Sequence, residues 1–490
     1  MLALRNWTRR CFSVQLFENS ADAVEDIRTG SRIAVGGYGS CGVPENSLRA
    51  LHTLGTYHHT VFTATSGLAG WGLDPLLKAK QIRRLVTSYP GSNASFQRMY
   101  HDGEVELVVI PSGSLSARMY AGGAGIPAIY TKTGVGTIIE EGNFPIKYMP
   151  GGRGVEIFSA AKEKRRFRNK DHILEEAITV DFALVKAWKA DTMGNLVFRR
   201  TAANFNTVMA QCARVTIAEV EEIVPHGQLD PDDIHVPAVY VHRLYKGEFY
   251  EKPIEHVTFV SRHSPALSHD PLKPAKLKIA RRAARELEDG MTVHLGVGIP
   301  GLVAQYIDPS LNVMLHSESG ALGIGKYPQA GTEDPDIVNT GREACSLLPM
   351  ASCFSSNDAM DMLRGGHLDI SIVSGFQVSQ RGDLANWLIP GKYSNGVGGS
   401  MDVIAGEESR IIVTMLHNTE GKPKILKECS LPLTGQKCID LLITEMGVFD
   451  FNREDTLVLT EIAKGVQLSA LKEATGCSFL VASDLKPMPS

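Results

Sequence analysis

A glutamate able to serve as nucleophile, base or ribose ligand stands at position 318, in Leu315-His316-Ser317-Glu318-Ser319-Gly320-Ala321-Leu322-Gly323. The run Leu311-Asn312-Val313-Met314-Leu315 ahead of it reads as a buried strand, and the small residues and glycines behind it read as a turn. Glu318 is therefore expected at the mouth of a strand, flanked by two hydroxyls. In open α/β sheets ligands bind there, beyond the carboxyl ends of the strands. A lone turn acid is more often solvated or a helix cap, so the surrounding chain must decide.

The elements that would position it recur. Gly30-Ser31-Arg32-Ile33-Ala34-Val35-Gly36-Gly37 reads as a strand entering a glycine turn that ends at Val43-Pro44-Glu45, with proline at a helix start. Gly290-Met291-Thr292-Val293-His294-Leu295-Gly296-Val297-Gly298-Ile299-Pro300 repeats that design. The next strands also match, residues 61–67 against 313–320, which sets Thr65 opposite Glu318. Two further pairs follow: residues 181–185 with 369–373, and 215–219 with 442–445. Matched strand-turn units in one order imply two homologous open α/β domains in one chain. The proline-rich segment 261–274 separates them, giving domains at 13–260 and 275–490 and one site per chain.

The glycine turns admit a rival chemistry. Gly37-Tyr38-Gly39-Ser40-Cys41-Gly42 and Gly296-Val297-Gly298-Ile299-Pro300-Gly301 both satisfy G-x-G-x-x-G after a strand. Glu318 follows the second by about 20 residues, where a dinucleotide fold places its ribose acid. An NAD(P)-binding oxidoreductase is thus an alternative, although the first copy has no acid at its next strand end.

Composition removes other classes. The chain has 490 residues, 43% of them hydrophobic, and a formal net charge of -4, so neither a nucleic-acid partner nor a membrane is expected. Its 8 cysteines form no C-x-x-C pair and its 15 histidines show no ligand spacing, so no metal is expected. Residues 1–12 carry Arg5, Arg9 and Arg10, with no acid before Glu18, and read as a mitochondrial-type transit peptide. The expected location is the mitochondrial matrix.

Residues 35–45 and 315–323 resemble the two signatures of family I CoA-transferases, the second usually written Ser-Glu-Asn-Gly. The likeness runs from about Phe17 to Pro489 and takes in residues 121–127, 181–191 and 382–387. It is strongest to the mitochondrial succinyl-CoA:3-ketoacid branch, in which the α and β subunits of bacterial members are fused; acetate:succinate transfer is also compatible. The resemblance implies the CoA-transferase fold, coenzyme A as co-substrate with no permanently bound cofactor, and a homodimer. It implies that Glu318 forms a glutamyl-CoA thioester in a ping-pong exchange between succinyl-CoA or succinate and acetoacetate or acetate. Gly399 is implied as an oxyanion donor, with Gly396, Gly398 and Lys392 on the CoA side. An inactive CoA-binding homologue is the non-enzymatic alternative.

Three departures concern the acid pocket: Ser319 follows the glutamate where Asn is usual, Ala64-Thr65 stand where paired Asn are usual, and Ser112 stands where a Gln is usual. Loss of amide donors puts acetate beside acetoacetate as acceptor. Two more features carry weaker expectations. The basic run Lys162, Lys164, Arg165, Arg166, Arg168 and Lys170 reads as a solvated hairpin before it reads as a phosphate contact. His316 reads as a packing or orienting residue.

Overall fold

The computed structural model describes residues 14–91, 93–257, 270–391, 393–394, 396–451 and 456–489. Residues 1–12, most of the 261–274 segment and Lys392 lie outside the described residues.

In the first half, Ile33, Ala34 and Val35 are buried and the Arg32–Val35 strand is flanked by parallel neighbours on both sides. The sheet order is Gln15–Phe17, Arg243–Lys246, Ala213–Val224, Val180–Asp191, Arg32–Val35, His59–Thr65, Ile82–Tyr89, Glu106–Val109, and every pairing along it is parallel. Near-continuous apolar strands are what a sheet covered on both faces requires. Thr65 ends one of them at its carboxyl end.

The second half repeats this around Thr292–Leu295, with Met314–Ser317 on one side and Ile370–Ser374 on the other, both parallel to it. Arg410–Thr414 and Leu441–Ile443 continue the parallel run. Antiparallel strands Ala321–Ile324 and Leu347–Cys353 close one edge, and Gly447–Phe451 and Leu457–Ala463 extend the other. The chain is mixed α/β with two domain-like halves.

Topology corrects the third matched pair. The strand beside Ile370–Ser374, in the place that Ala213–Val224 holds beside Val180–Asp191, is Arg410–Thr414. Leu441–Ile443 lies one position further out, where the first half has Arg243–Lys246. Small strands between 377 and 426 lengthen this part of the second half, so sequence spacing no longer tracks sheet position.

One part of the second half leaves its own core. Trp387, Leu388, Val397 and Met401 pack in the same apolar cluster as Leu48, Leu51, Phe96 and Tyr100 of the first half. The Trp387 ring, 2% exposed, stacks 6.1 Å from Phe144 and donates its indole N–H to Leu433 O. Burying a ring of that size stabilises the contact by roughly 3 kcal/mol. The segment carrying Gly396 to Gly399 is thereby pinned across the boundary, with Ser112 N donating to Gly398 O at 2.8 Å and Gly398 N to Ser88 O at 3.1 Å.

Candidate active site

Glu318 follows directly on the Met314–Ser317 strand, in the tight turn to Ala321–Ile324. Gly320 has φ +101°, and a Cβ there would lie 2.2 Å from Phe354 O, so only glycine fits. The serines hold the turn. Ser319 Oγ donates to Val338 O at 2.6 Å and lies 2.8 Å from Ser317 Oγ. Ser356 Oγ donates to Glu318 O at 2.8 Å, and Glu318 N donates to Thr340 Oγ1 at 3.3 Å. Ser319, which departs from the usual Asn, thus anchors backbone.

Glu318 is 7% exposed and lines a cavity of about 220 Å3. Thr65 and Ser112 of the first half and Gly396, Gly398 and Gly399 of the second line the same cavity. The structure therefore brings together six of the seven sequence-predicted site residues. Lys392 is the seventh, outside the described residues. Gly399 packs against the carboxylate: a Cβ on it would stand 2.5 Å from Glu318 Oε1.

Burial pushes the Glu318 carboxyl up to about 7, and the charge of buried Asp402 adds to the rise. The Arg342 charge and the Gly399 N–H oppose it. Asp402 itself is lifted by burial to about 6. It accepts from Gly113 N at 2.8 Å and Thr133 Oγ1 at 3.0 Å, so a second-half carboxylate caps the first-half helix Ser112–Ala124.

Several cavity residues carry no signal that sequence reasoning used. Tyr38, inside the first glycine turn, donates its hydroxyl to Thr340 O at 2.9 Å across 302 residues of sequence. Arg342 lies over the Tyr89 ring at 4.1 Å. His294 Nε2 lies 3.7 Å from Glu318 Oε1, while His294 Nδ1 meets His316 Nδ1 at 3.2 Å. Burial holds both imidazoles below the ordinary histidine range, His316 at about 4, so both are neutral. His316 accordingly touches His294, and His294 is the histidine beside the carboxylate. His294 and Tyr38 belonged to quoted motifs, but only the fold shows which way they face.

A larger cleft of about 1100 Å3 adjoins this cavity, sharing Gly296, Val297, Thr340, Ser374 and Phe376 with it. Its lysines are Lys273, Lys276, Lys326 and Lys424. Lys424 donates to Gly375 O at 2.9 Å, and burial lowers it to about 8. The basic run at 162–170 lines neither space. It forms a hairpin whose cations pair with acids: Lys164 with Glu140, Arg166 with Asp171, Lys162 with Glu175 and Lys170 with Glu407. Among the described residues no cluster of His, Cys, Asp and Glu could hold a metal, and no helix is long and apolar enough to cross a membrane.

A buried carboxylate in a small cavity that adjoins a larger cleft suits acyl transfer from a bulky carrier, and comparison with known proteins agrees. The coenzyme A transferase family model matches residues 17–247 and 276–474. The chain is 45% identical over 481 residues to the mitochondrial succinyl-CoA:3-ketoacid coenzyme A transferase 2A of Mus musculus, covering 98% of this chain and 92% of that one. It is 44% identical over 494 residues to the mitochondrial transferase 2 of Homo sapiens, covering 99% and 95%. One subunit of the Helicobacter pylori succinyl-CoA:3-ketoacid transferase is 46% identical over 236 residues, covering 48% of this chain and 94% of that one. Among solved structures, an acyl-CoA transferase of Escherichia coli O157:H7 superposes with a TM-score of 0.76 at 21% identity, covering 98% of this chain and 96% of that one, which shows the shared fold. Nothing among these relatives supports the NAD(P)-binding alternative for the glycine turns. The chain belongs to the coenzyme A transferase family and is a CoA-transferase.

Proposed function

We propose that this transferase exchanges CoA between succinyl-CoA and a short carboxylic acid through a thioester on Glu318. The observation that carries the reading is the position of Glu318, buried in the wall of the acid cavity that adjoins the larger cleft, with the Gly399 backbone against its carboxylate. The relatives named for succinyl-CoA and 3-ketoacids supply the substrate class.

The chemistry follows from the carboxylate. An oxygen lone pair of Glu318 attacks the acyl carbonyl carbon; the C–S bond breaks and its electron pair leaves on sulfur as CoA thiolate. The thiolate attacks the glutamyl carbonyl of the resulting anhydride, and the bond to the departing acid breaks, giving glutamyl-CoA and free succinate. The second acid reverses these steps. Thioesters and carboxylates are exchanged for others of the same kind, so each half-reaction is close to balanced. Each tetrahedral centre carries an oxyanion, and the Gly399 N–H is placed to donate to it. Burial of Glu318 keeps water from hydrolysing the anhydride.

The long cleft takes the pantetheine arm, and Lys273, Lys276, Lys326 and Lys424 offer cations to its phosphates. Coenzyme A acts as a co-substrate. Ser112 and Thr65 border the acid with hydroxyls in place of amides, which favours acetate as acceptor alongside acetoacetate. The mitochondrial relatives and the basic segment 1–12 support a matrix location, and we take the assembly to be a homodimer. The test is Glu318→Ala: the folded variant binds CoA but transfers none, and acyl-CoA alone leaves a borohydride-sensitive thioester on the native Glu318 peptide. Near-native turnover by Glu318→Ala rejects the covalent route.

A further inference from the structure

Arg342 is placed at a cost. Its backbone N donates to Asn339 O at 2.9 Å, Glu343 N donates to Asn339 Oδ1 at 3.1 Å, and Val338 bridges Ala344, so Asn339 to Glu343 form the bend of a short hairpin. Arg342 takes the left-handed position, φ +60°, that glycine fills without strain. A large side chain there is strained relative to glycine, and such outliers gather where the side chain is used.

The side chain is then buried, the residue being 6% exposed. The guanidinium lies over the Tyr89 ring, and its Nε stands 3.1 Å from Glu255 Oε1 without the alignment of a hydrogen bond. Arg342 lines the acid cavity and Glu255 lines the long cleft, so the pair stands in the partition between them. The first glycine turn makes room for it: a Cβ on Gly39 would meet Arg342 Cδ and Glu255 Oε2, each at 2.7 Å. The first glycine turn thus leaves room for a buried cation.

A guanidinium whose Nε faces one carboxylate still offers its terminal N–H pair, spaced for the two oxygens of a second. We propose that Arg342 anchors the distal carboxylate of a dicarboxylic acyl group, so that the acid cavity reads succinate by two charged ends and a monocarboxylate by one. The proposal rests on Glu318 being the acyl acceptor, which fixes the reacting end of the acid near one wall. Glu255 keeps Arg342 neutralised when a monocarboxylate occupies the cavity, so the same site can accept either acid in turn. An uncompensated buried cation would otherwise bind the dicarboxylate product too firmly to release it.

The experiment compares kcat/KM for succinate, monomethyl succinate and acetate as CoA acceptors, in native enzyme, Arg342→Gln and Arg342→Lys. Native enzyme should prefer succinate to its monomethyl ester by about 10- to 100-fold, the range of a lost charge-assisted pair. Removing the cation that opposes the rise in the Glu318 carboxyl should slow every acceptor in Arg342→Gln, so the readout is the ratio: succinate over its monomethyl ester and over acetate should fall toward parity, and Arg342→Lys should fall between, since an ammonium keeps the charge without the fork. Equal losses for succinate and acetate in Arg342→Gln overturn the proposal. Should Arg342→Gln fail to fold, the native enzyme alone still decides: equal use of succinate and its monomethyl ester overturns it. Trapping of the Glu318 thioester separates the two readings. If the thioester forms and the preference is absent, only the anchor is lost; if no acyl-CoA forms it, the underlying reading falls with it.

Discussion

Replacing Gly399 by alanine adds one carbon against the nucleophile. Gly399 is the N-cap of the Ser400–Ala405 helix with φ -90° and ψ 3°, a conformation open to alanine, so the backbone should not strain. The new Cβ would stand 2.5 Å from Glu318 Oε1, 2.6 Å from Cδ and 2.9 Å from Oε2. Restoring an ordinary contact of about 3.4 Å requires the carboxylate or the Gly399 loop to retreat by about 0.9 Å. A misplacement of about 1 Å costs about 100-fold in rate, and removing an oxyanion donor costs about 100- to 1000-fold. Both arise from one displacement and do not add, so Gly399→Ala should lower the rate of thioester formation by about 100- to 1000-fold. Rapid-quench trapping of the Glu318 peptide measures that rate, and a thermal melt within about 3 °C of native confirms the fold. The cleft that would hold the CoA arm is untouched, so KM for acyl-CoA should change little. Thioester formation within about 5-fold of native would refute the contact between Gly399 and the reacting carboxyl.

Three further outcomes follow from the same cavity. The nucleophile must be ionised, and burial raises its pKa to about 7, so thioester formation should rise with pH through about 7 and level above it; a flat profile across that range contradicts the assignment. The folded value lies above the unfolded 4.5, so ionising Glu318 costs the fold nothing below that pH and roughly 3 kcal/mol above about 7. Glu318→Gln should therefore be more stable than native at pH about 8 and lose the advantage by pH about 5, read from urea unfolding at both. Ser112→Gln should shift the ratio of kcat/KM for acetoacetate over acetate toward acetoacetate by about 10-fold or more; an unchanged ratio places Ser112 outside acid recognition.

The nucleophile's turn was legible because its parts are local. An apolar strand, small residues and Gly320 at positive φ are all written within ten residues of Glu318. The parallel core strands were equally readable, since burial on both faces leaves runs such as Ile33-Ala34-Val35 without polar alternation. Residues 442–445 were paired with 215–219 in place of Arg410–Thr414 because insertions altered the spacing of the second half while the two strands share an apolar pattern. Arg342 was invisible for the opposite reason. It looks like an ordinary polar turn residue, and its burial depends on Gly39, Tyr89 and Glu255, which the fold brings from elsewhere. Tyr38 and His294 sat in recognised motifs, yet their partners lie across a sheet or across the two halves. Local grammar reveals where a carboxylate emerges, and tertiary packing alone decides what stands over it.

The crossing of Trp387, Leu388, Val397 and Met401 into the other half's core bears on how such an enzyme is made. Neither half can bury these side chains or complete the acid cavity by itself, so each would leave a sticky, half-built groove. The Helicobacter pylori relative, a separate polypeptide, corresponds to 48% of this chain, which means the same partnership can be drawn from two molecules. Joining them in one chain fixes their ratio at synthesis and turns an encounter between molecules into a folding step at an effective concentration on the order of millimolar. Dilution, unequal translation and loss of one partner then cease to be routes to an inactive, aggregation-prone remainder.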